Sequence, residues 1–281
     1  MTARVPRTTR TRAIVLGRRR LGEADRIVRL LTPGHGKIDA VAKGVLRPRS
    51  KLAGHLEPPT HVDVMLAHGR NLDIVTQAQT VEGFHGVRAD LARLGTAMYL
   101  VEVTDRLTVE HAEARPIYDL LHATLIRLDR GDGVHLLTRW FEMQLLEIAG
   151  FRPEWEVCVV CGAEVTPGGA ATEAVWWSAL AGGVLCPRCR SGQPGAEPLD
   201  LTVLRVLRAI QRQPHEEVAR VRLTSELAAS LERVMHDLVR SVAERDLKSQ
   251  RFIEAVRRAE ASMVDGDLDE GELDGATDGT V

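Results

Sequence analysis

The sequence predicts an α+β protein: a small five-stranded β-barrel, then an all-α domain carrying an inserted four-cysteine metal element. Three observations predict it. Short apolar runs, several alternating at period 2, fill the chain up to about residue 80. Beyond Phe84 the apolar period becomes helical. All four cysteines lie in one stretch, "CVVCGAEVTPGGAATEAVWWSALAGGVLCPRCR", from Cys158 to Arg190.

The barrel strands follow in order. "RAIVLG" is an apolar run, and "DRIVRLLT" comes after a polar turn; alternation is weak in both. "GKIDAVAKG" places Ile38, Ala40 and Ala42 on one face and Lys37, Asp39 and Lys43 on the other. "HVDVML" alternates through Val62, Val64 and Leu66, and "NLDIVTQA" through Leu72, Ile74, Thr76 and Ala78. Glycine and proline separate the runs, as in a small closed sheet. "PGHGKID" has one residue between its glycines and Ile38 after Lys37. That spacing does not suit a phosphate loop, so the segment reads as a strand turn.

The helical stripes come next. They are Leu91, Leu94, Met98, Val101 and Leu107; then Ile117, Leu121, Leu125 and Leu128; then Leu137, Trp140, Phe141 and Ile148. Gly150 and Pro153 stop the third. After the cysteines, Leu204, Leu207 and Ile210 form one stripe, and Leu227, Leu231, Val234, Leu238 and Val242 another. The expected division is a barrel over 1–82 and a helical domain over 83–262, with the metal element at 155–192. The segment 263–281 holds seven acids and no base, and reads as a disordered tail.

Cys158, Cys161, Cys186 and Cys189 form two C-x-x-C pairs. Each pair sets two thiolates on one tight turn, and two turns close a tetrahedron around Zn²⁺. Four cysteines fill the coordination sphere, so the zinc reads as structural, with no position left for a reacting water. Trp176 and Trp177, midway between the pairs, read as cover for a small zinc-centred core.

The net charge of −2 hides an asymmetry. Residues 1–80 carry 15 Lys+Arg against 6 Asp+Glu, a net of +9; the remainder carries 22 against 33, a net of −11. Two clusters hold much of the positive charge, "GRRRLGEADR" between the first two strands and "AKGVLRPRSK" after the third. The candidate phosphate contacts are Arg18, Arg19, Arg20, Arg26, Lys37, Lys43, Arg47, Arg49 and Lys51. Residues 1–83 contain no Phe, Tyr or Trp, so bases have nothing aromatic to stack on there. A nucleic acid would be held mainly by its backbone, with little sequence preference.

There is no G-x-S-x-G, H-E-x-x-H or G-x-G-x-x-G, and the ten histidines are scattered without pairing. No catalytic constellation emerges. Two other readings stand beside nucleic-acid binding: a zinc-dependent nucleic-acid enzyme, and an adaptor whose basic barrel takes an acidic protein. No run of about 18 apolar residues reads as a membrane span. The basic N-terminus lacks the apolar core of a secretory signal, so the cytoplasm is expected.

The stretches "LGEADRIVRLLTPGHGKIDAVAKGVLRPRSKLAGHLEPPTHVDVMLAHGRNLDIVTQAQTVEGF", "LLEIAGFRPEWEVCVVCG" and "ERDLKSQRFI" resemble, in that order, the RecO family of bacterial recombination mediators. The resemblance implies an N-terminal OB-fold barrel, then a helical domain with a four-cysteine zinc element. It implies DNA repair without a catalytic site. It further implies binding of single- and double-stranded DNA, annealing of complementary strands, contact with single-strand-binding protein (SSB), and cooperation with RecR in loading RecA. Family DNA contacts on basic barrel residues would fall on the two clusters named above. The acidic tail lies outside the resemblance.

Overall fold

The computed structural model describes residues 7–166 and 175–243, together with Val256. The expected acidic tail and the "ERDLKSQRFI" stretch lie outside the described residues.

Five strands come first: β1 (Thr8–Leu21), β2 (Asp25–Thr32), β3 (Gly36–Ala42), β4 (His61–Ala67) and β5 (Asp73–Glu82). β1 pairs with both β2 and β4, β2 with β3, β3 with β5 in parallel, and β5 with β4, so the sheet closes on itself. Ala13, Val15, Val28, Leu30, Ile38, Ala40, Val62, Val64 and Leu66 fill the interior. The weak alternation of β1 and β2 has a physical cause: both strands are buried on two faces. Ala13 and Val15 point into the barrel, whereas Ile14 and Leu16 join the core of the helices, as does Leu31 of β2. A strand covered on both sides reads as a continuous apolar run.

Seven helices and a small sheet follow among the described residues: α1 (His85–Arg88), α2 (Leu91–Leu107), α3 (Arg115–Arg130), α4 (Val134–Ile148), strands β6 (Val175–Ser178), β7 (Gly183–Leu185) and β8 (Glu197–Leu199), then α5 (Leu201–Arg212), α6 (His215–Val218) and α7 (Ser225–Ala243). Local signals set their ends. Asp90 caps α2 by accepting from the Arg93 amide at 3.0 Å, and Asp200 caps α5 through the Thr202 amide at 2.6 Å. Gly131, with φ of 101°, terminates α3 in the left-handed conformation. The shared helical core includes Leu100, Leu121, Leu125, Leu137, Phe141, Leu207, Leu231 and Leu238. No described helix is long and apolar enough to cross a membrane.

An ion network fixes the barrel against the helices. Arg29 of β2 donates to Asp39 of β3 at 2.8 Å and to Asp105 of α2 at 3.2 Å. Lys37 sits 3.2 Å from the same Asp105 carboxylate, with its side chain only 8% exposed. The Asp39 carboxyl is pushed up by burial, but the Arg29 hydrogen bonds and charge outweigh this and hold it below its usual range. The backbone takes part as well. The His111 amide donates to the Lys37 carbonyl at 3.1 Å. Gly36, with φ of +63°, lies so close to the 110–112 segment that a Cβ there would meet the Ala112 carbonyl oxygen at 1.8 Å.

Candidate nucleic-acid interface and metal centre

The two basic clusters, separate in sequence, meet at one end of the barrel. Arg18, Arg19 and Arg20 were expected in a loop; they belong to β1, which runs on to Leu21. Antiparallel register sets Arg20 opposite Arg26 and Arg26 opposite Ala42. The loop after β3 folds back onto this corner: the Leu46 amide donates to the Ala24 carbonyl at 2.9 Å, and the Gly44 amide donates to Asp25 Oδ1 at 2.7 Å. The start of that loop, with Lys43 and Arg47, is therefore brought beside the β1–β2 turn, and Arg49 and Lys51 follow within a few residues.

The nine candidates divide by partner. Arg18 and Arg26 both pair with Glu57, the latter at 2.8 Å. Arg19 makes a long contact of 3.4 Å to Asp39 and remains largely exposed. Arg20 donates to the Gly22 carbonyl at 3.0 Å. Lys43, Arg47, Arg49 and Lys51 are exposed. Arg20, Lys43, Arg47, Arg49 and Lys51 make no ion pair with a described residue. Lys37 stands apart from the other eight. It lies at the opposite end of β3, buried against Asp105, because the 110–112 segment covers that end of the strand. Strand alternation places it on the face opposite Ile38 and does not reveal this cover.

The cysteine element is built from two turns. The Gly162 amide donates to the Cys158 carbonyl at 2.8 Å, and the Cys189 amide to the Cys186 carbonyl at 3.0 Å. The four Sγ atoms all lie within 4.8 Å of one another. Cys161 and Cys186 Sγ are 3.7 Å apart, close to the edge of about 3.8 Å for a tetrahedron with Zn–S bonds of about 2.3 Å. Burial opposes ionisation of Cys158, but backbone hydrogen bonds at Cys186, Cys161 and Val160 bring the thiol down to about 6. Cys189 is pushed up to about 12 by hydrogen bonds with Cys186 and Cys161. The donor set fits a divalent soft cation, which would displace the shared protons.

The element is fastened to the helices. Trp155 and Trp177 are buried with ring centroids 6.5 Å apart, and the Arg190 guanidinium lies 4.3 Å from the Trp176 ring. Strands β7, β6 and β8 form its sheet, so the element extends to Leu199, past the expected end at 192. Arg208 of α5 donates to the Trp155 carbonyl at 2.6 Å and to the Val165 carbonyl at 2.6 Å. Composition alone did not single out Arg208, nor the Arg29–Asp39–Asp105 network, because both join residues distant in sequence.

Two family models cover this architecture. "Recombination protein O N terminal" matches residues 6–84, and "Recombination protein O C terminal" matches residues 88–251. The chain belongs to the RecO family. Its curated relatives include the DNA repair protein RecO of Roseiflexus sp., 40% identical over 252 residues, which span 90% of this chain and 87% of the relative. The DNA repair protein RecO of Symbiobacterium thermophilum is 36% identical over 247 residues, or 88% of this chain and 96% of the relative. That of a Dehalococcoides mccartyi strain is 35% identical over 254 residues, or 90% and 98%. The RecO models meet near Gly83, where β5 gives way to the helices.

Proposed function

We propose that this RecO-family chain is a DNA-binding recombination mediator, not an enzyme. It anneals complementary single strands and helps load a RecA-type recombinase onto SSB-coated DNA, working with RecR in the cytoplasm. The observation that carries the reading is the corner where Arg20, Lys43, Arg47, Arg49 and Lys51 converge without acidic partners among the described residues. The closed strand order β1-β2-β3-β5-β4 supports an OB-fold for the barrel. Annealing needs no nucleotide: cations screen the repulsion between two phosphate backbones, and base pairing supplies the free energy. The four-cysteine element holds structural Zn²⁺ through Cys158, Cys161, Cys186 and Cys189 and positions the surrounding helices. SSB and RecR are proposed as partners from family membership.

The test is annealing of complementary oligonucleotides coated with SSB, followed with and without the protein. The expected result is faster duplex formation in the absence of any nucleotide. No acceleration, with labelled single strand left unshifted in a gel, would favour an adaptor whose barrel takes an acidic protein.

A further inference from the structure

A second cluster of metal-ligand type lies at the seam between the barrel and the helices. His61 opens β4, Glu82 closes β5, and His122 sits on α3. His61 Nδ1 is hydrogen-bonded to Glu82 Oε2. His122 Nε2 reaches the same oxygen at 2.6 Å. The two imidazoles are 4.2 Å apart between centroids, and the three ligand atoms lie within 4.8 Å of one another. His61 is buried, whereas Glu82 and His122 are half-buried.

A carboxylate offers two oxygens and about four lone-pair directions to its donors. Here both imidazole nitrogens converge on one oxygen. The ligands of a cation centre converge in the same way. Two imidazoles and a carboxylate are a zinc donor set, which leaves a fourth position open. Imidazole nitrogen also favours Zn²⁺ over Mg²⁺ or Ca²⁺. The remaining nitrogen of His61 has the outer partner that a metal-bound histidine needs. Its Nε2 is 2.7 Å from the Tyr118 hydroxyl, which donates to Nε2 while Nδ1–H is given to Glu82 and can accept the Nε2–H once a cation takes the place of the Nδ1 proton. Ligand atoms around zinc stand about 3.3 Å apart on bonds of about 2.0 Å. The His122–Glu82 pair, now at 2.6 Å, opens to that distance by a movement of less than about 1 Å.

We propose that His61, Glu82 and His122 form a second divalent metal site, suited to Zn²⁺, that cross-links β4 and β5 of the barrel to α3. The site is separate from the four cysteines and does not depend on the DNA-binding reading. Its role is to fix the barrel relative to the helices.

The test uses the full chain, stripped with chelator and reloaded with Zn²⁺. The wild type should saturate at two zinc ions per chain and His122→Gln at one. The glutamine amide still donates to Glu82, so the variant keeps the hydrogen bond and loses the ligand. Glu82→Gln should also saturate at one. Co²⁺ at this site should give visible ligand-field bands that vanish in His122→Gln, while the thiolate charge-transfer bands of the cysteine site persist. A His122→Gln protein that takes up as much zinc as the wild type would overturn the proposal, whereas a wild type at one zinc whose His122→Gln variant falls to none would place the failure at the cysteines instead.

Discussion

Cys158→Ser is expected to abolish zinc binding at the site proposed for the four cysteines and to lower the melting temperature by roughly 10 °C. Structural zinc contributes about 10–16 kcal/mol in zinc-finger peptides, and that energy is folding energy. Even a quarter of it, about 2.5–4 kcal/mol, shifts a domain of this size by roughly 10 °C. Cys158 is 1% exposed and belongs to the same apolar cluster as Trp155, Trp177 and Leu204. Its loss therefore reaches α5, to which Arg208 ties the element. Zinc content and a thermal melt check this together. A Cys158→Ser protein that loses its zinc with an unchanged melt would show that the element folds without metal, and one that keeps its zinc would show that Cys158 is not a required ligand.

Asp105→Ala is expected to cost about 3 kcal/mol and to loosen the barrel from α2. Removing one partner of a buried pair costs about 3–5 kcal/mol, because the other charge stays desolvated. Lys37 is that charge, its side chain 8% exposed. The lower end of the range applies for two reasons. Asp105 itself is 28% exposed, and the Lys37 ammonium keeps the Asp105 backbone carbonyl as acceptor. Arg29 retains Asp39. Urea denaturation measures the loss, and limited proteolysis near Gly83 reports the loosening. Stability within about 0.5 kcal/mol of wild type, the range of ordinary surface changes, would mean that apolar packing alone holds the junction.

The legible parts of this molecule were those whose signal is local. Two C-x-x-C turns carry their ligands within four residues, so the cysteine site could be read directly. Strands β3 and β4 and the long helices announce themselves by period, whereas in β5 a register shift opposite Met65/Leu66 puts Val75 in the barrel core and leaves Thr76 exposed, against the face read through Leu72, Ile74, Thr76 and Ala78. Lys37 reads as a candidate phosphate contact because strand alternation says which side a residue faces and nothing about what covers that side. Arg18 to Arg20 read as a loop because three consecutive arginines hide the continuation of β1, whose polar end projects past the core. The His61–Glu82–His122 cluster was not legible. Its members are 21 and 40 residues apart, and each histidine alone looked like any of ten.

The most direct test of the DNA-binding account is the salt dependence of single-strand affinity. Backbone neutralisation contributes a slope in log K against log salt of roughly −0.7 per phosphate. The five cations at the barrel corner that make no ion pair with a described residue then predict a slope of about −3.5, similar for oligonucleotides of different sequence. Arg47→Ala combined with Arg49→Ala should flatten it by about 1.4 and weaken all sequences alike. A slope left unchanged in that double variant, or a strong preference for one base, would contradict a phosphate-held complex at this corner.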